Sequence, residues 1–444
     1  MLIYNKIMFS IKWLAFILFL VASQLCFAQH KSWSIPLELN NYQLKSNHDI
    51  GIKASEFIGS DFIAVSLRIE GTDKQVQNCT FTIEVNDIIY TFVKSHEWDG
   101  DDETIFVSDI IYLPATRAEY WHLKATSSDK SEYKINATGF LRVFVPEDDK
   151  TPNKKPSKPE NTPERADCSC PLPDYVGRSN WGSSFNLNAD IFTPPADYTK
   201  VTHLIVHHSA GTNTSNNWKG VVASIFDAHV HTNGWQDIGY NWLIDPNGVL
   251  YEGRGGGDNV RGAHMCGYNN NTLGVCLLGN FEIASPTSPM LTKLKELLAY
   301  KACKESISAD GDSDIVSYPG HMHHISGHKD GCSPNYTSCP GINLYTKLDS
   351  MRLETKRQIS TVCLAPVKTL NSSDEKSLIY PVPASDYICS NDSEISHFTN
   401  TYGIEFSSFL KRKDENCYDI SAIPSGLYFV QLTGQTLTYR LYKM

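Results

Sequence analysis

The chain has 444 residues, which is too many for one hydrophobic core, so we expect it to divide into several domains. Its formal net charge is −10. That charge disfavours nucleic acid as a partner, because phosphate binding needs a basic surface. We interpret it as ordinary solubility.

The first 28 residues have the pattern of a cleaved export signal. Lys6 and Lys12 precede an apolar run over residues 13–22, and residues 26–28 place small side chains at the two positions that a signal peptidase recognises. A retained anchor and a lipoprotein anchor at Cys26 are the alternatives. The run is short for a bilayer, and the residue before Cys26 is bulkier than a lipobox allows. No later stretch is predicted to span a membrane.

Export would permit disulfides, and the sequence has twelve cysteines, eleven of them after residue 28. An odd number leaves at least one thiol unpaired, and that thiol is a candidate metal ligand. Cys266 with Cys276, and Cys168 or Cys170 with Cys363, are pairs that neighbouring elements could bring together, although connectivity does not follow from sequence. If Cys339 binds a metal, the other ten can pair evenly.

Residues 30–146 alternate apolar and polar side chains in short runs broken by Gly, Asn and Asp, for example at 62–67 and 80–85. Period-two alternation predicts an all-β, sandwich-like domain. Trp98 and Trp121 are candidate sugar-stacking residues of a carbohydrate-binding module. A place in the core is the more common role of such aromatics.

Residues 147–167 hold four prolines among Lys, Glu, Asn and Thr and have no apolar period, which indicates a solvated, semi-rigid linker. From 168 to 360 strands and helices mix, which favours an α/β domain with a mixed β-sheet flanked by helices. The expected elements are strands at 200–208 and 272–281, a hairpin turn at 245–248, a helix over 218–229 that stops at Asn233-Gly234, a helix over 291–302, and a last helix after Gly341.

Two histidines and one cysteine of this segment form a candidate zinc site. His207 ends an apolar strand, His328 leads into a turn, and Cys339 precedes Pro340-Gly341 at a helix start. Zinc binds imidazole and thiolate, and a catalytic site uses three protein ligands so that water holds the fourth position. By spacing alone, Cys339 could equally be half of a disulfide and both histidines structural, because 15 histidines supply many chance triplets.

Six motifs of the segment resemble, in order, those of the peptidoglycan-recognition proteins and the related phage and bacterial N-acetylmuramoyl-L-alanine amidases. They are VHHSAG (206–211), DIGYNWLIDPNGVLYEGRGGG (237–257), RGAH (261–264), LGNF (278–281), ISGHKD (325–330) and TSCPG (337–341). The resemblance implies a zinc amidase that hydrolyses the lactyl amide bond between N-acetylmuramic acid and L-alanine in peptidoglycan. A non-catalytic peptidoglycan-binding protein is the alternative.

The resemblance also implies roles for individual residues. The family's zinc ligands match His207, His328 and Cys339, and its catalytic helpers match Tyr240 and Thr337. Zinc makes its bound water acidic, and these two side chains would hydrogen-bond the water and the developing oxyanion. Trp235, His264 and Asn280 are expected to line the muramyl-peptide groove, and His208 to support the site from behind the ligand strand. A place in the core or in a turn is the alternative for Trp235 and Asn280.

The sequence departs from the family pattern in two places. His328 and Cys339 are eleven positions apart, which is more than the compact family spacing, and the extra residues are expected to reshape the rim of the site. Gly256 stands where members that distinguish diaminopimelate from lysine stem peptides often have Trp. The stem-peptide preference therefore stays open.

Residues 371–444 return to short β-like runs. IYPVPASD (379–386), SGLYFVQL (425–432) and the closing YRLYKM resemble the C-terminal sorting domains of the type IX secretion system. The resemblance implies a small all-β domain, contact with the type IX secretion machinery, and export through the periplasm of a Gram-negative bacterium to the surface or the medium. A small β-module with a binding role, and turnover of the cell's own wall in the periplasm, are the alternatives. We expect the protein to act as a monomer.

Overall fold

A computed structural model describes most of the three domain-sized segments. The described residues are 31–43, 49–53, 62–98, 102–114, 120–127, 134–146, 170–185, 197–315, 318, 320–332, 337–363, 367–368, 379–380, 386–390, 394–400, 404–433 and 438–443. The expected signal at 1–28, the linker at 147–167, the start of the C-terminal resemblance at 381–385 and the loop residues 333–336 lie outside them.

The N-terminal segment forms two antiparallel sheets around a shared core. One sheet contains β1 (Lys31–Gln43), β3 (Phe62–Gly71), β6 (Ile105–Val107), β7 (Ile111–Pro114) and β9 (Lys134–Val145), and the other contains β2 (Asp49–Lys53), β4 (Cys79–Val85), β5 (Ile88–Phe92) and β8 (Tyr120–Ser127). Alternate residues of β4 are buried, as a strand with one core face requires. Trp121 lies in this core at 1% exposure, so it is not available to stack on a sugar.

The central segment is a mixed six-stranded sheet with helices on both faces. Its strand order is β10 (Tyr175–Val176), β13 (Leu250–Glu252), β12 (Trp242–Ile244), β14 (Thr272–Leu277), β11 (His203–His208) and β17 (Ile325–Gly327), and only the β12–β13 pair is antiparallel. The helices are α1 (Arg178–Trp181), α2 (Trp218–Asp227), α3 (Ser288–Glu305), α4 (Ile342–Tyr345) and α5 (Leu348–Gln358). A small hairpin joins β15 (Asp312–Asp314) to β16 (His321–His323). The α/β architecture expected for this segment is confirmed.

Local sequence signals explain where these helices begin and end. The Asn217 side chain accepts from the Gly220 amide at the start of α2, and the Thr287 side chain accepts from the Met290 amide at the start of α3. After α2 the helix continues as a π-helical segment, Ala228–Thr232. It ends at Asn233, where the sequence predicts the stop. Every residue of β11 is buried, as a central strand covered on both faces requires.

Three disulfides are present among the described residues, and they correct one expected pairing. They join Cys170 to Cys363, Cys266 to Cys332 and Cys389 to Cys417. The proposed Cys266–Cys276 pair is wrong, because Cys276 is buried on β14 as a free thiol. Cys339 is also a free thiol, and because Cys276 is one too, the other ten cysteines do not all pair with one another.

The C-terminal segment contains two further four-stranded sheets. One has the order β18 (Val367–Lys368), β25 (Thr438–Lys443), β24 (Gly426–Leu432) and β21 (Ile395–Asn400), and the other β19 (Ile379–Tyr380), β20 (Tyr387–Ser390), β23 (Cys417–Asp419) and β22 (Lys411–Asp414). Ile388, Phe398 and Val430 belong to the core between them. Within the part of the chain that the structure describes, none of the helices has the length and apolar character to cross a membrane.

The N-terminal domain packs against helix α2 of the central domain. Phe62 and Phe144 share a buried apolar cluster with Trp218 of α2. Arg142 donates to both carboxylate oxygens of Asp227 at 2.8 and 2.6 Å, and both side chains are buried. A buried ion pair at the centre of an apolar contact fixes the register of the two domains, because either charge alone would be costly there.

Candidate metal centre and active site

The sheet brings the three predicted zinc ligands together. Strand β11 places His207 beside β17, whose end leads directly to His328, and the turn before α4 supplies Cys339. The ligand atoms of the three lie within 4.8 Å of one another. The His207 Nδ1 to Cys339 Sγ distance is 3.7 Å. Two atoms that bind one tetrahedral zinc at its usual bond lengths are about 3.6 Å apart, so the spacing fits that metal.

The hydrogen bonds around the two histidines leave one ring nitrogen of each available to a metal. Nε2 of His207 lies 3.0 Å from Nδ1 of His264, which leaves Nδ1 of His207 toward Cys339. Nε2 of His328 contacts the Cys266 sulfur at 3.4 Å, and its Nδ1 is buried without a hydrogen bond. A buried unpaired imidazole nitrogen beside a thiol is the donor set that zinc prefers.

Burial keeps this site neutral when it holds no metal. It lowers the pKa of His207 well below its usual range, and the neighbouring His328 and His264 lower it further. Burial likewise raises the pKa of the Cys339 thiol. Since zinc binds thiolate, metal binding must release the Cys339 proton, and zinc affinity is expected to increase with pH.

The two expected catalytic helpers are close to the ligands. The ring of Tyr240 lies 5.2 Å from the ring of His207, and its hydroxyl is buried without a hydrogen bond. Thr337 accepts from the Cys339 amide at 3.2 Å and is partly exposed. Tyr240 therefore has an unused donor at the ligand strand.

The four residues expected around the groove take different positions. His264 is buried behind His207, and His208 accepts from the Phe281 amide at Nδ1, 3.2 Å away, on the other side of β11. Trp235 is half-buried, with its ring 4.7 Å from that of His229. Asn280 accepts from the Glu282 amide at 3.0 Å and so holds a turn. Among them, His264 has the clearest contact with a predicted ligand.

The structure adds residues that the sequence did not single out, and they come from the N-terminal domain. His96 lies in a group of ligand atoms within 4.8 Å of one another that also contains His208 and Cys339. Its neighbour Glu97 hydrogen-bonds His229, and Asp109 lies 2.9 Å from Nδ1 of His96. Burial opposes charging of His96, but Asp109, Cys339 and Glu97 together raise the pKa of the ring in the metal-free protein. No motif marks these positions in the sequence.

We expect the metal-free protein to lose stability as the pH falls below about 6.5. Burial lowers the pKa of His203 to about 4 and of His208 to about 3. The unfolded chain therefore binds more protons below pH 6.5, so their contribution is complete above that pH and is lost toward pH 4 and below. His96, with its raised pKa, contributes in the opposite direction.

Urea unfolding of chelator-treated protein at several pH values measures this effect, with a slope of about 1.4 kcal/mol per pH unit for each neutral buried histidine. A His203→Gln variant should show a smaller slope than the wild type. Stability that increases on acidification over this range would contradict the assignment.

Comparisons with known proteins identify the family of the central domain. A sequence model of the family described as N-acetylmuramoyl-L-alanine amidase matches residues 197–342. The chain is 34% identical over 175 residues to peptidoglycan-recognition protein SC2 of Drosophila simulans, covering 39% of this chain and 83% of that protein. It is 30% identical over 178 residues to peptidoglycan-recognition protein LB of Drosophila melanogaster, covering 39% and 67%. The chain belongs to the peptidoglycan-recognition protein and N-acetylmuramoyl-L-alanine amidase family.

A bacterial enzyme is among the similar solved structures. The endolysin N-acetylmuramoyl-L-alanine amidase LysCS from Clostridium intestinale is 26% identical, and the match covers 37% of this chain and 91% of that chain, with a TM-score of 0.29.

Proposed function

We propose that this protein is a secreted, zinc-dependent N-acetylmuramoyl-L-alanine amidase. The observation that supports it most directly is the complete ligand set: His207, His328 and Cys339 converge, and the buried Nδ1 of His328 has no hydrogen bond. A protein that only binds peptidoglycan has no need to keep such a set intact. The substrate class follows from the family, whose name specifies the amide bond between muramic acid and L-alanine.

The side chains around the site have separable tasks. Zinc, when bound by the three ligands, supplies a Lewis acid and an acidified water. His264 fixes the ring of His207 through their 3.0 Å contact, as partners behind a metal ligand commonly do. Tyr240 has a free hydroxyl donor for the oxygen that becomes negative as the amide carbon turns tetrahedral. Thr337, on the partly exposed side, would hydrogen-bond the attacking water.

Trp235 and Asn280 remain the candidates for contact with the muramyl peptide. Trp235 is half-buried next to His229, so one part of its ring is accessible. An accessible aromatic face beside a metal centre is a common way to hold a sugar ring or a peptide. His208 and His264 lie deeper, and we assign them to support of the ligands.

A soluble muramyl peptide tests the reaction directly. Zinc-loaded protein should release a stem peptide that begins with L-alanine, and chelator-treated protein should release none until zinc is restored. The wild type and variants of the N-terminal domain that expose the metal could each bind one zinc per chain and yet release no stem peptide. That result would favour the non-catalytic binding protein. The deep burial of the metal centre is the observation that favours this alternative.

A Tyr240→Phe variant is expected to lose about 100- to 1,000-fold in turnover, the usual effect of removing one oxyanion donor. The ring that packs against His207 remains, so zinc content should not change. Tyr251→Phe is the matched control, because its hydroxyl bonds Asp245 at 2.9 Å rather than facing the centre. That control should lower thermal stability and leave turnover nearly intact. Equal turnover in the two variants would remove Tyr240 from the mechanism.

We also propose that the protein acts outside the cytoplasm. The export-signal pattern at 1–28 and the resemblance of residues 371–444 to type IX sorting domains support this, as do the disulfides. Cell fractionation with and without residues 371–444 tests the location, since loss of the protein from the medium is expected for the shortened chain. Unchanged secretion of the shortened chain would contradict the sorting role.

A further inference from the structure

The candidate metal centre is closed on the side of the N-terminal domain. His207 and Cys339 are 0% exposed, and His328 and Tyr240 are 1% exposed. Side chains this deeply buried do not contact a muramyl peptide unless a neighbouring element moves away. The structure therefore holds the site in a closed state, and the element that closes it can be identified.

The covering element is the segment of the N-terminal domain around His96. A small cavity at the domain junction is lined by His96, Glu97 and Asp109 on one side and by His229 and Tyr240 on the other. The Glu97 carboxylate accepts from Nε2 of His229, whose Nδ1 accepts from the Gly239 amide at 3.0 Å. The ring of His229 lies 5.6 Å from that of Tyr240. Glu97 thus anchors the N-terminal domain beside the unused hydroxyl of Tyr240.

His96 itself is oriented as metal ligands are. Its Nδ1 donates to Asp109 at 2.9 Å, so Nε2 is the nitrogen that would bind a metal in place of its proton. Nε2 is buried and makes no hydrogen bond, and the nearest carboxylate oxygen, on Glu97, is 3.7 Å away. A carboxylate that holds one imidazole nitrogen while the other points at a metal is the usual arrangement behind a ligating histidine.

The other histidine near Cys339 cannot take this role. His208 shares the group of close ligand atoms with His96 and Cys339, but its Nδ1 accepts from the Phe281 amide. A neutral imidazole that accepts at one nitrogen carries its proton on the other, so His208 offers no lone pair to a metal. His96 is the remaining donor on this side of the shared Cys339 sulfur.

We propose that the N-terminal domain is a lid on the metal centre, and that its His96, which shares Cys339 as a close neighbour with His207 and His328 but lies outside their group, takes the open coordination position when a bound metal draws the ligands together. This inference rests on the proposed zinc site and adds its regulation. Zinc with four protein ligands has the closed coordination of structural sites, whereas catalytic sites keep one position free. The closed form is thus inactive, and the activity of the wild type comes from the fraction of molecules in which the N-terminal domain has moved away from α2 and opened the position.

The lid also accounts for the polar contacts between the domains. Besides the Arg142–Asp227 pair, Ser66 bonds Thr232 at 2.6 Å, and Tyr112 bonds Ser224 at 3.2 Å. Polar contacts make an interface that can separate into water at lower cost than a purely apolar one, because both surfaces regain hydrogen bonds to water.

The test uses the full chain loaded with cobalt(II), whose visible spectrum reports the ligands, and azide as a small anion that binds an open position. Wild-type protein should show no spectral change with azide and should release cobalt slowly to a chelator. His96→Ala should respond to azide, lose cobalt at least about tenfold faster, and cleave a soluble muramyl peptide at least about tenfold faster when loaded with zinc. His96→Gln keeps a donor for Asp109, so it separates loss of the ligand from misfolding of the lid.

His122→Ala is the matched control, because His122 lies on β8 in the second sheet, opposite Gly51 of β2 and Glu84 of β4. It should behave as the wild type. An azide response of the wild type equal to that of His96→Ala and His96→Gln would overturn the proposal. An azide response confined to the His96 variants, without cleavage by any of them, would support the lid and reject the amidase.

Discussion

A Cys339→Ser variant is expected to lose most of the zinc and more than about 1,000-fold of the amidase activity that we propose. Replacing a residue that supports a metal ligand already costs about 10- to 100-fold in metal affinity or activity, and replacing the ligand itself costs more. Serine does not ionise near neutral pH, so only His207 and His328 would hold the metal in the open enzyme. The sulfur also belongs both to the group that contains His207 and His328 and to the group that contains His96 and His208, so its loss affects His96 as well.

Cys276→Ser is the control for this change. Cys276 is also a buried free thiol, and it lies directly opposite His207 in the β11–β14 register, but it belongs to neither of those two groups. Its replacement should cost some stability and leave zinc content unchanged. The measurement is zinc per protein by atomic absorption, together with release of stem peptide. Full zinc and activity in Cys339→Ser would contradict the assignment of the metal centre.

The second large effect is expected at the interface between the lid and α2. An Arg142→Met variant leaves Asp227 buried with only His231, at 3.0 Å, as a partner for its charge. Breaking a buried ion pair on one side costs about 3–5 kcal/mol. We expect this to weaken docking of the N-terminal domain, so that the azide response and the rate of amide cleavage both rise.

A double variant, Arg142→Met with Asp227→Leu, serves as the control. Apolar residues in place of both charges are commonly neutral or stabilising, so docking and latency should return toward the wild type. Urea unfolding followed by the azide response measures both properties in each variant. Equal behaviour of the single and double variants would show that the pair does not hold the lid.

The sequence predicts the structure best where the chemical groups lie in short motifs. His207, His328 and Cys339 each stand next to a strand end or a turn, and the sheet brings these ends together. The helix that starts at Trp218 and the end near Asn233 follow from apolar spacing and capping residues. The central fold and the approach of these three side chains are therefore predictable from local patterns.

The parts that sequence reasoning missed depend on contacts between distant segments. His96 precedes His207 by more than a hundred positions and lies in another domain, and its role follows only from docking against α2. Cys266 pairs with Cys332 rather than with Cys276, because Cys276 points into the core. Trp121 resembles a sugar-binding aromatic in sequence and is core in the fold. No periodicity or motif in the sequence predicts these contacts between distant segments.

Digestion of purified sacculi, with products identified by mass spectrometry, tests the central claim most directly. Zinc-loaded wild-type protein and the His96→Ala variant should release free stem peptides that begin with L-alanine and leave intact glycan strands, the variant more rapidly. Uncut muropeptides from both, or the same products from Cys339→Ser, would contradict a zinc amidase centred on His207, His328 and Cys339.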